Sequence, residues 1–356
     1  MFKRNKGLDA GYEKPKKIKK KKKPKQFKLI SSLLVDSQRK IPFYEKLIKF
    51  IIFIALRIVV KPSRWRDPQK NFEIIDRTYK RIMSSDFIYI PSSIAFYLIM
   101  SFMPIMTIIM FIYSIPGFKE FISTGDRDPI AEVLGKFIPG MRDIISQIGE
   151  AVSGWTTNLG TALPILFFLI ITTWIAAGGF AKLIYTQSYL YEHRFVGGYW
   201  MNKFRGMMLV LQFTVILAIA LTINIIVDRE VHALPIDPVA QEAIMYIFLI
   251  FGLFVLMLMM FLFFYRFSPR FQIKTRQVLP GAMVSALPTS LFLAVFGAIA
   301  NMWSYSRYGT VGAIMYIGTS SLIITYFIFL GITTNASYYK TFVGPRVENK
   351  RTWSKK

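Results

Sequence analysis

The sequence predicts an all-α integral membrane protein with six transmembrane helices, and three observations support this prediction. The first is six stretches of at least 21 residues without Asp, Glu, Lys, Arg or His. A bilayer core about 30 Å thick needs about 20 residues of helix, and a helix satisfies every backbone group within one segment. The second is a 53% hydrophobic composition, and the third is an uneven distribution of basic residues. The predicted spans are 88–115, 159–181, 207–227, 243–265, 278–302 and 310–337.

Basic residues alternate with the predicted spans. Residues 1–87 hold 25 of the 45 Lys and Arg, and segments 182–206, 266–277 and 338–356 hold another 14. The three remaining connections hold only six. Because basic loops stay in the cytoplasm, we expect both termini to be cytoplasmic and the protein to be a multi-pass protein of the cell membrane. The first 40 residues hold no apolar stretch like that of a cleavable signal peptide, so the first span is expected to direct insertion.

The two ends of the chain are basic. Residues 1–45 include the run Lys19–Lys23 and are expected to form a disordered cytoplasmic tail, since such a block cannot fold on itself. The tail is interpreted as a topology anchor, which is compatible with attraction to anionic headgroups. RNA binding is a weaker interpretation, because polylysine contacts any phosphate, and no specific nucleic-acid partner is expected. Residues 341–356 are expected to form a second basic tail.

Residues 46–87 are predicted to form amphipathic helices at the cytoplasmic interface. The stretch Leu47–Val60 is apolar but too short to span a bilayer. At 100° per residue its bases fall within an arc of about 120° and are predicted to contact anionic phospholipids. The alternative is a re-entrant segment buried against the bundle. The four bases are Lys46, Lys49, Arg57 and Lys61.

The long outer connection, 116–158, carries two apolar patterns of helical spacing, at 130–137 and 144–152, with Pro139-Gly140 between them. We therefore expect two short amphipathic helices on the outer membrane surface. Two roles stay open for them, a lid over a cavity and simple packing on the headgroups.

Polar side chains and helix breakers within the spans are the candidates for a passage. Pro104 removes a backbone N–H in the middle of the first span, and irregular backbone at that depth is tolerated against protein or water. Gly309 and Gly312 allow a bend where the sixth span begins. The alternative is that these positions only pack helices together. The predicted passage residues are Ser92, Ser93, Tyr97, Pro104, Asn224, Tyr308, Gly309 and Gly312.

The sequence lacks the residues and motifs that several classes of function require. No ionisable side chain lies within the predicted spans, which argues against a simple intramembrane carboxylate relay. Cysteine is absent, no Walker A motif occurs, and His193 and His232 fall on opposite sides of the predicted membrane. We expect no enzyme activity, no metal and no cofactor.

Four motifs occur in a characteristic order: IAFYLIMSFMP at 94–104, YRFSP at 265–269, VLPGA at 278–282 and SRYGTVGA at 306–313. Over about residues 70–340 this order resembles the YihY/BrkB family of bacterial membrane proteins. The resemblance implies a six-helix protein of the cytoplasmic membrane that transports or flips a lipid or another envelope amphiphile. The alternative is a non-transporting scaffold in envelope assembly.

The resemblance has two limits. A ribonuclease label once attached to the family is not expected to apply, because the sequence offers no catalytic His, Asp or metal cluster. Relatives usually carry Gly-Ala-Glu near the end of the sixth span, whereas here Gly331 is followed by Ile332 and Thr333. A role of that glutamate therefore does not transfer. The oligomeric state stays open.

Overall fold

The structure is a computed structural model that describes residues 43–59, 68–115, 117–118, 129–138, 141–153, 159–192, 197–269, 271–302 and 309–344. These residues form helices and no strand. The chain divides into two units, Met1–Lys46 and Leu47–Lys356. Of the first unit only its last residues are described, with exposed Phe43 and Lys46. Residues 1–42 of the predicted disordered tail and most of the C-terminal tail lie outside the described residues, and residues 43–45 begin the first helix.

Ten helices are described, and they are numbered here in chain order. They are α1 (Phe43–Val59), α2 (Pro68–Ile82), α3 (Asp86–Ser114), α4 (Pro129–Phe137), α5 (Met141–Ser153), α6 (Leu159–Leu190), α7 (Tyr199–His232), α8 (Pro238–Phe267), α9 (Thr275–Met302) and α10 (Gly309–Phe342).

The six predicted spans are confirmed as helices that are long and apolar enough to cross a membrane, namely α3 and α6 to α10. Several helices run past the predicted limits, so segment 182–206 is not one loop. Helix α6 continues to Leu190 and α7 begins at Tyr199. The apolar stretch marks only what lipid requires, whereas the helix continues because Leu183, Ile184 and Leu190 are buried against protein.

The six spans close into a ring in chain order. Each span packs against the next, and α10 packs back against α3. Two pairs of spans cross closely within this ring. At each crossing a glycine packs against the backbone or a large side chain of the neighbouring helix. A Cβ at Gly206 on α7 would overlap the carbonyl oxygen of Ala177 on α6, and one at Gly179 would overlap Tyr97 on α3. Small residues therefore set the spacing of α3, α6 and α7.

The two short helices predicted within the connection 116–158 are present as α4 and α5. Their apolar residues Ile130, Leu134 and Ile145 are buried in a cluster with Ile109 of α3 and Leu221 of α7. These apolar faces pack on the spans, and the two roles, a lid over a cavity and packing on the headgroups, stay predictions. Contact of the two helices with the bilayer stays a prediction.

Helix α1 is helical as predicted, and one side of it is buried. Ile52 is fully buried in a cluster with Ile74 of α2, Val284 of α9 and Leu330 of α10. The other side exposes large apolar residues beside its bases. The helix therefore combines features of both alternatives, a face against the bundle and an exposed amphipathic face.

Candidate functional site

A cavity of about 310 Å³ lies inside the ring of spans. Its walls come mainly from α3, α7, α8 and α10. Helix α6 adds Phe180 and Leu183, α9 adds Leu293, and α4 adds Val133 and Leu134. Most lining side chains are Leu, Ile, Phe or Met, and none of the described lining residues is charged. The polar side chains on its walls are Ser101, Asn224, Tyr316, Ser320 and Ser321. Such a space suits an apolar ligand with few polar groups.

One face of α3 forms a wall of the cavity. Leu98, Ser101, Phe102, Ile105 and Met106 line it, and their spacing of three and four residues places them on one side of a helix. The Ser101 hydroxyl donates a hydrogen bond to the Leu98 carbonyl at 2.7 Å. This bond leaves the wall apolar, because the only hydroxyl on it is satisfied within the helix.

Asn224 on α7 places a polar amide group on the cavity wall. Its Nδ2 donates to the Ala220 carbonyl at 2.8 Å, one turn earlier. Its Oδ1 is buried and has no hydrogen-bond partner among the described residues. A buried acceptor without a donor is costly, so this oxygen is placed to accept a hydrogen bond from a ligand or a water molecule.

The structure brings only part of the predicted passage to this cavity. Asn224 lines it, whereas Ser92 and Ser93 are exposed and donate to the carbonyls of Ile88 at 2.8 Å and Ile90 at 3.0 Å. Tyr97 lies at the crossing of α3 with Gly179 of α6.

Pro104 and Gly312 are both buried, and neither is among the cavity-lining residues. Pro104 lies two residues after Phe102, on a different side of α3 from the cavity wall. Gly309 is the first residue of α10, and Tyr308 lies outside the described residues. A joint passage through these positions stays a prediction, and it is not the cavity seen here.

Sequence reasoning missed most of the cavity wall, above all the residues of α8. Gly252, Leu256 and Met260 line it, yet α8 is apolar on every side and its sequence does not indicate which face points inward. Ser101 and Ser320 carry a detectable signal, since polar residues in a span are expected to face protein.

A family model described as Virulence factor BrkB matches residues 78–356. The match covers well over half of the chain. The chain belongs to the BrkB family. No curated protein and no solved structure matches it.

Two of the four sequence motifs, YRFSP at 265–269 and VLPGA at 278–282, meet at one helix crossing. Gly281 of α9 and Gly331 of α10 lie so close that a Cβ on either would overlap the other's carbonyl oxygen. The Gly281 N–H donates to Asn335 Oδ1 at 2.7 Å. The Tyr265 hydroxyl, at the end of α8, lies 2.6 Å from Ser285 Oγ and donates to the Ile328 carbonyl at 3.0 Å. The motif residues Tyr265 and Gly281 thus join three spans.

A second, basic cleft of about 590 Å³ lies where α2, α6 and α10 end. Glu192 lies in the left-handed backbone region with φ 54° and places its carboxylate among the bases. Lys340 Nζ lies 2.6 Å from that carboxylate, and Arg81 lies 3.8 Å away. The hydrogen bond from Lys340 lowers the pKa of the Glu192 carboxyl. A lowered pKa keeps the ion pair at neutral pH, and it is lost only as the pH falls through that lowered value.

No group of three or more His, Cys, Asp or Glu residues that could hold a metal occurs in the described part of the chain.

Proposed function

We propose that this BrkB-family protein moves a lipid or another envelope amphiphile across the cell membrane. The cavity inside the ring of spans carries the proposal. Its volume of about 310 Å³ falls at the lower end of the roughly 300–1,000 Å³ range of ligand pockets. Apolar walls suit acyl chains, and the few hydroxyl and amide groups suit the polar part of an amphiphile. A small ion has no charged partner there, which disfavours ion transport.

Helix α8 supports lateral entry of such a substrate. It packs against α7 and α9, and the cavity separates it from α3 and α10. It is also the least buried of the six spans, because only 17% of its most apolar 18-residue segment is buried inside the bundle. A small outward movement of α8 connects the cavity with the surrounding lipid.

Reconstitution into liposomes tests the proposal. A lipid with a fluorophore on its headgroup is protected from an impermeant quencher while it faces the lumen. We expect the protein to expose the luminal lipid more rapidly than protein-free liposomes and liposomes with an unrelated six-span protein. Equal rates in all three, across zwitterionic and anionic lipids, would contradict movement of phospholipids.

A non-transporting scaffold is the second candidate. The crossing of Gly281 and Gly331 favours it, because the bundle is filled by backbone contact and by Tyr265, Ser285 and Asn335 at that level. A scaffold is expected to be inactive in the liposome assay and to retain its cellular role when the cavity is filled.

We also propose that both termini face the cytoplasm, supported by the distribution of basic residues. Cysteines at two exposed positions test this in a chain without native cysteine. Ala233→Cys, after α7, should react with an impermeant thiol reagent in intact cells, and Gln272→Cys, before α9, should react only after lysis. Labelling of Gln272→Cys in intact cells contradicts this topology.

Contact of α1 with anionic phospholipids fits its exposed face. Leu47, Phe50 and Phe53 are exposed there, and Lys46 and Arg57 are exposed beside them. Lys49 instead places Nζ 4.7 Å from the centre of the Tyr79 ring. Lys61 lies outside the described residues. Bases beside exposed aromatic residues are typical of a helix at a membrane surface.

A further inference from the structure

Two lysines lie against aromatic rings where α3, α6 and α7 meet. Lys203 of α7 is only 8% exposed. Its Nζ lies 4.7 Å from the ring centre of Trp174 and 5.6 Å from that of Tyr199. Lys182 of α6 places Nζ 4.4 Å from the ring centre of Tyr97. Both lysines belong to helices, although the sequence alone suggests a cytoplasmic loop.

Lys203 and the Tyr97 ring both approach Gly178 of α6. A Cβ at this position would lie 3.5 Å from Tyr97 Cε1 and 3.6 Å from Lys203 Nζ. The absence of a side chain at Gly178 therefore gives room for the Tyr97 ring, which carries Lys182, and for the buried ammonium of Lys203.

Neither lysine has a carboxylate partner within 4 Å in the part of the chain that the structure describes. The described hydrogen bond of Lys203 is a long one of 3.4 Å to the Tyr199 hydroxyl. Glu192, the acid that follows α6, is held by Lys340 and Arg81 instead. A buried ammonium is costly without a counter-ion, and contact with ring faces offsets only part of that cost.

The surrounding aromatic residues place the pair at the level of lipid headgroups. Tyr199 and Trp200 open α7 and are 65% and 71% exposed. Trp174 packs against Trp200 with a ring-centre distance of 5.8 Å. Exposed Trp and Tyr at the end of a span mark the interface between hydrocarbon and water. The anion available at that level is the phosphate of a phospholipid.

We infer that Lys203 and Lys182 bind the phosphate of an anionic phospholipid at the cytoplasmic end of α7. The ammonium groups donate charge-assisted hydrogen bonds to phosphate oxygens, and the exposed rings of Tyr199 and Trp200 contact the glycerol and upper acyl region. This site differs from the exposed bases of α1, because most of Lys203 is buried among aromatic rings. It holds a lipid whether or not the protein transports one.

Thermal melting of the purified full chain in mixed micelles tests the site. Phosphatidylglycerol should raise the melting temperature more than phosphatidylcholine does. Lys203→Met keeps an apolar stem and removes the charge, and it should weaken phosphatidylglycerol binding by roughly tenfold or more, as expected for loss of a charged hydrogen-bond donor. Lys203→Arg should retain most of the binding.

The exposed base Lys274 provides the matched control. Lys274→Gln removes one cytoplasmic charge outside the site and should leave the phosphatidylglycerol shift unchanged. Equal losses in Lys203→Met and Lys274→Gln would overturn the site in favour of non-specific attraction. If Lys203→Met does not fold, Lys182→Gln at an exposed position takes its place, and an unchanged shift in that variant overturns the inference.

A soluble anion is distinguished from a lipid in the same experiment. Inorganic phosphate added without phosphatidylglycerol should not raise the melting temperature. A stabilisation by inorganic phosphate that Lys203→Met removes would overturn the assignment to a lipid.

Discussion

Gly331→Leu is expected to abolish the accumulation of folded protein. Any Cβ at this position overlaps Ser285 Oγ, the Tyr265 hydroxyl and the Gly281 carbonyl. Overpacking of this kind costs about 1–3 kcal/mol or more. Displacing Tyr265 also breaks its bonds to Ser285 and to the Ile328 carbonyl, and each buried polar group left unpaired costs about 1–3 kcal/mol. The total is comparable with the roughly 5–15 kcal/mol by which proteins are stable.

Size-exclusion chromatography of a fluorescent fusion measures this effect as the area of the monodisperse peak. Gly178→Ala is the matched control, because a Cβ there meets its neighbours at ordinary contact distances of 3.5 Å and more. Gly281→Leu should behave like Gly331→Leu, since it overlaps the Gly331 carbonyl and Asn335. A normal peak for Gly331→Leu would show that α9 and α10 do not cross as closely as described.

Gly252→Leu is expected to slow lipid movement in liposomes while the protein stays folded. Gly252 lines the cavity, and a Cβ there meets no atom within 4 Å. The new Cβ therefore clashes with no neighbour, the leucine side chain reduces the cavity volume that we propose for the substrate, and leucine favours the helix over glycine. Even one methylene in an apolar pocket changes rates by roughly 10–200-fold, so we expect a loss of at least about tenfold.

A second glycine separates blockage from general disturbance. A Cβ at Gly318 on α10 has Ile99 Cδ1 as its nearest neighbour, at 3.9 Å, and Gly318 is not among the cavity-lining residues. Gly318→Leu should keep both the melting temperature and the transport rate. Full activity in both variants would contradict the proposal that the lipid passes through the cavity. An equal loss of activity in both would show that any added side chain in a span disturbs transport.

The apolar stretches alone predict the spans, because hydrocarbon accepts long apolar helices and little else. The two short helices α4 and α5 were also predictable, since apolar residues recur at helical spacing in a polar segment. The same spacing placed bases along one arc of α1. In each case the information is local, held within one turn or one membrane thickness of chain.

Other features depend on which helices meet. Asn224 was a candidate from polarity alone, but its partners in the cavity come from α3, α8 and α10, which are apart in the chain. Tyr97 and Pro104 are predicted passage residues, yet Tyr97 packs on Gly179 of another span. The sequence predicts a loop for Lys182 and Lys203. The pairing of α6 with α7 instead places Lys182 beside Tyr97 and Lys203 beside Trp174.

The sequence by itself determined that this protein has six membrane-crossing helices and that it carries motifs resembling those of the BrkB family. Only the tertiary structure decided that the spans close into a ring in chain order, that α4 lines the cavity inside this ring, and that Gly281 meets Gly331. The physical reason is that lipid is as apolar as the side chains it surrounds. Hydrophobicity therefore drives insertion but does not choose partners, which follow from close approach of small residues and from a few buried hydrogen bonds.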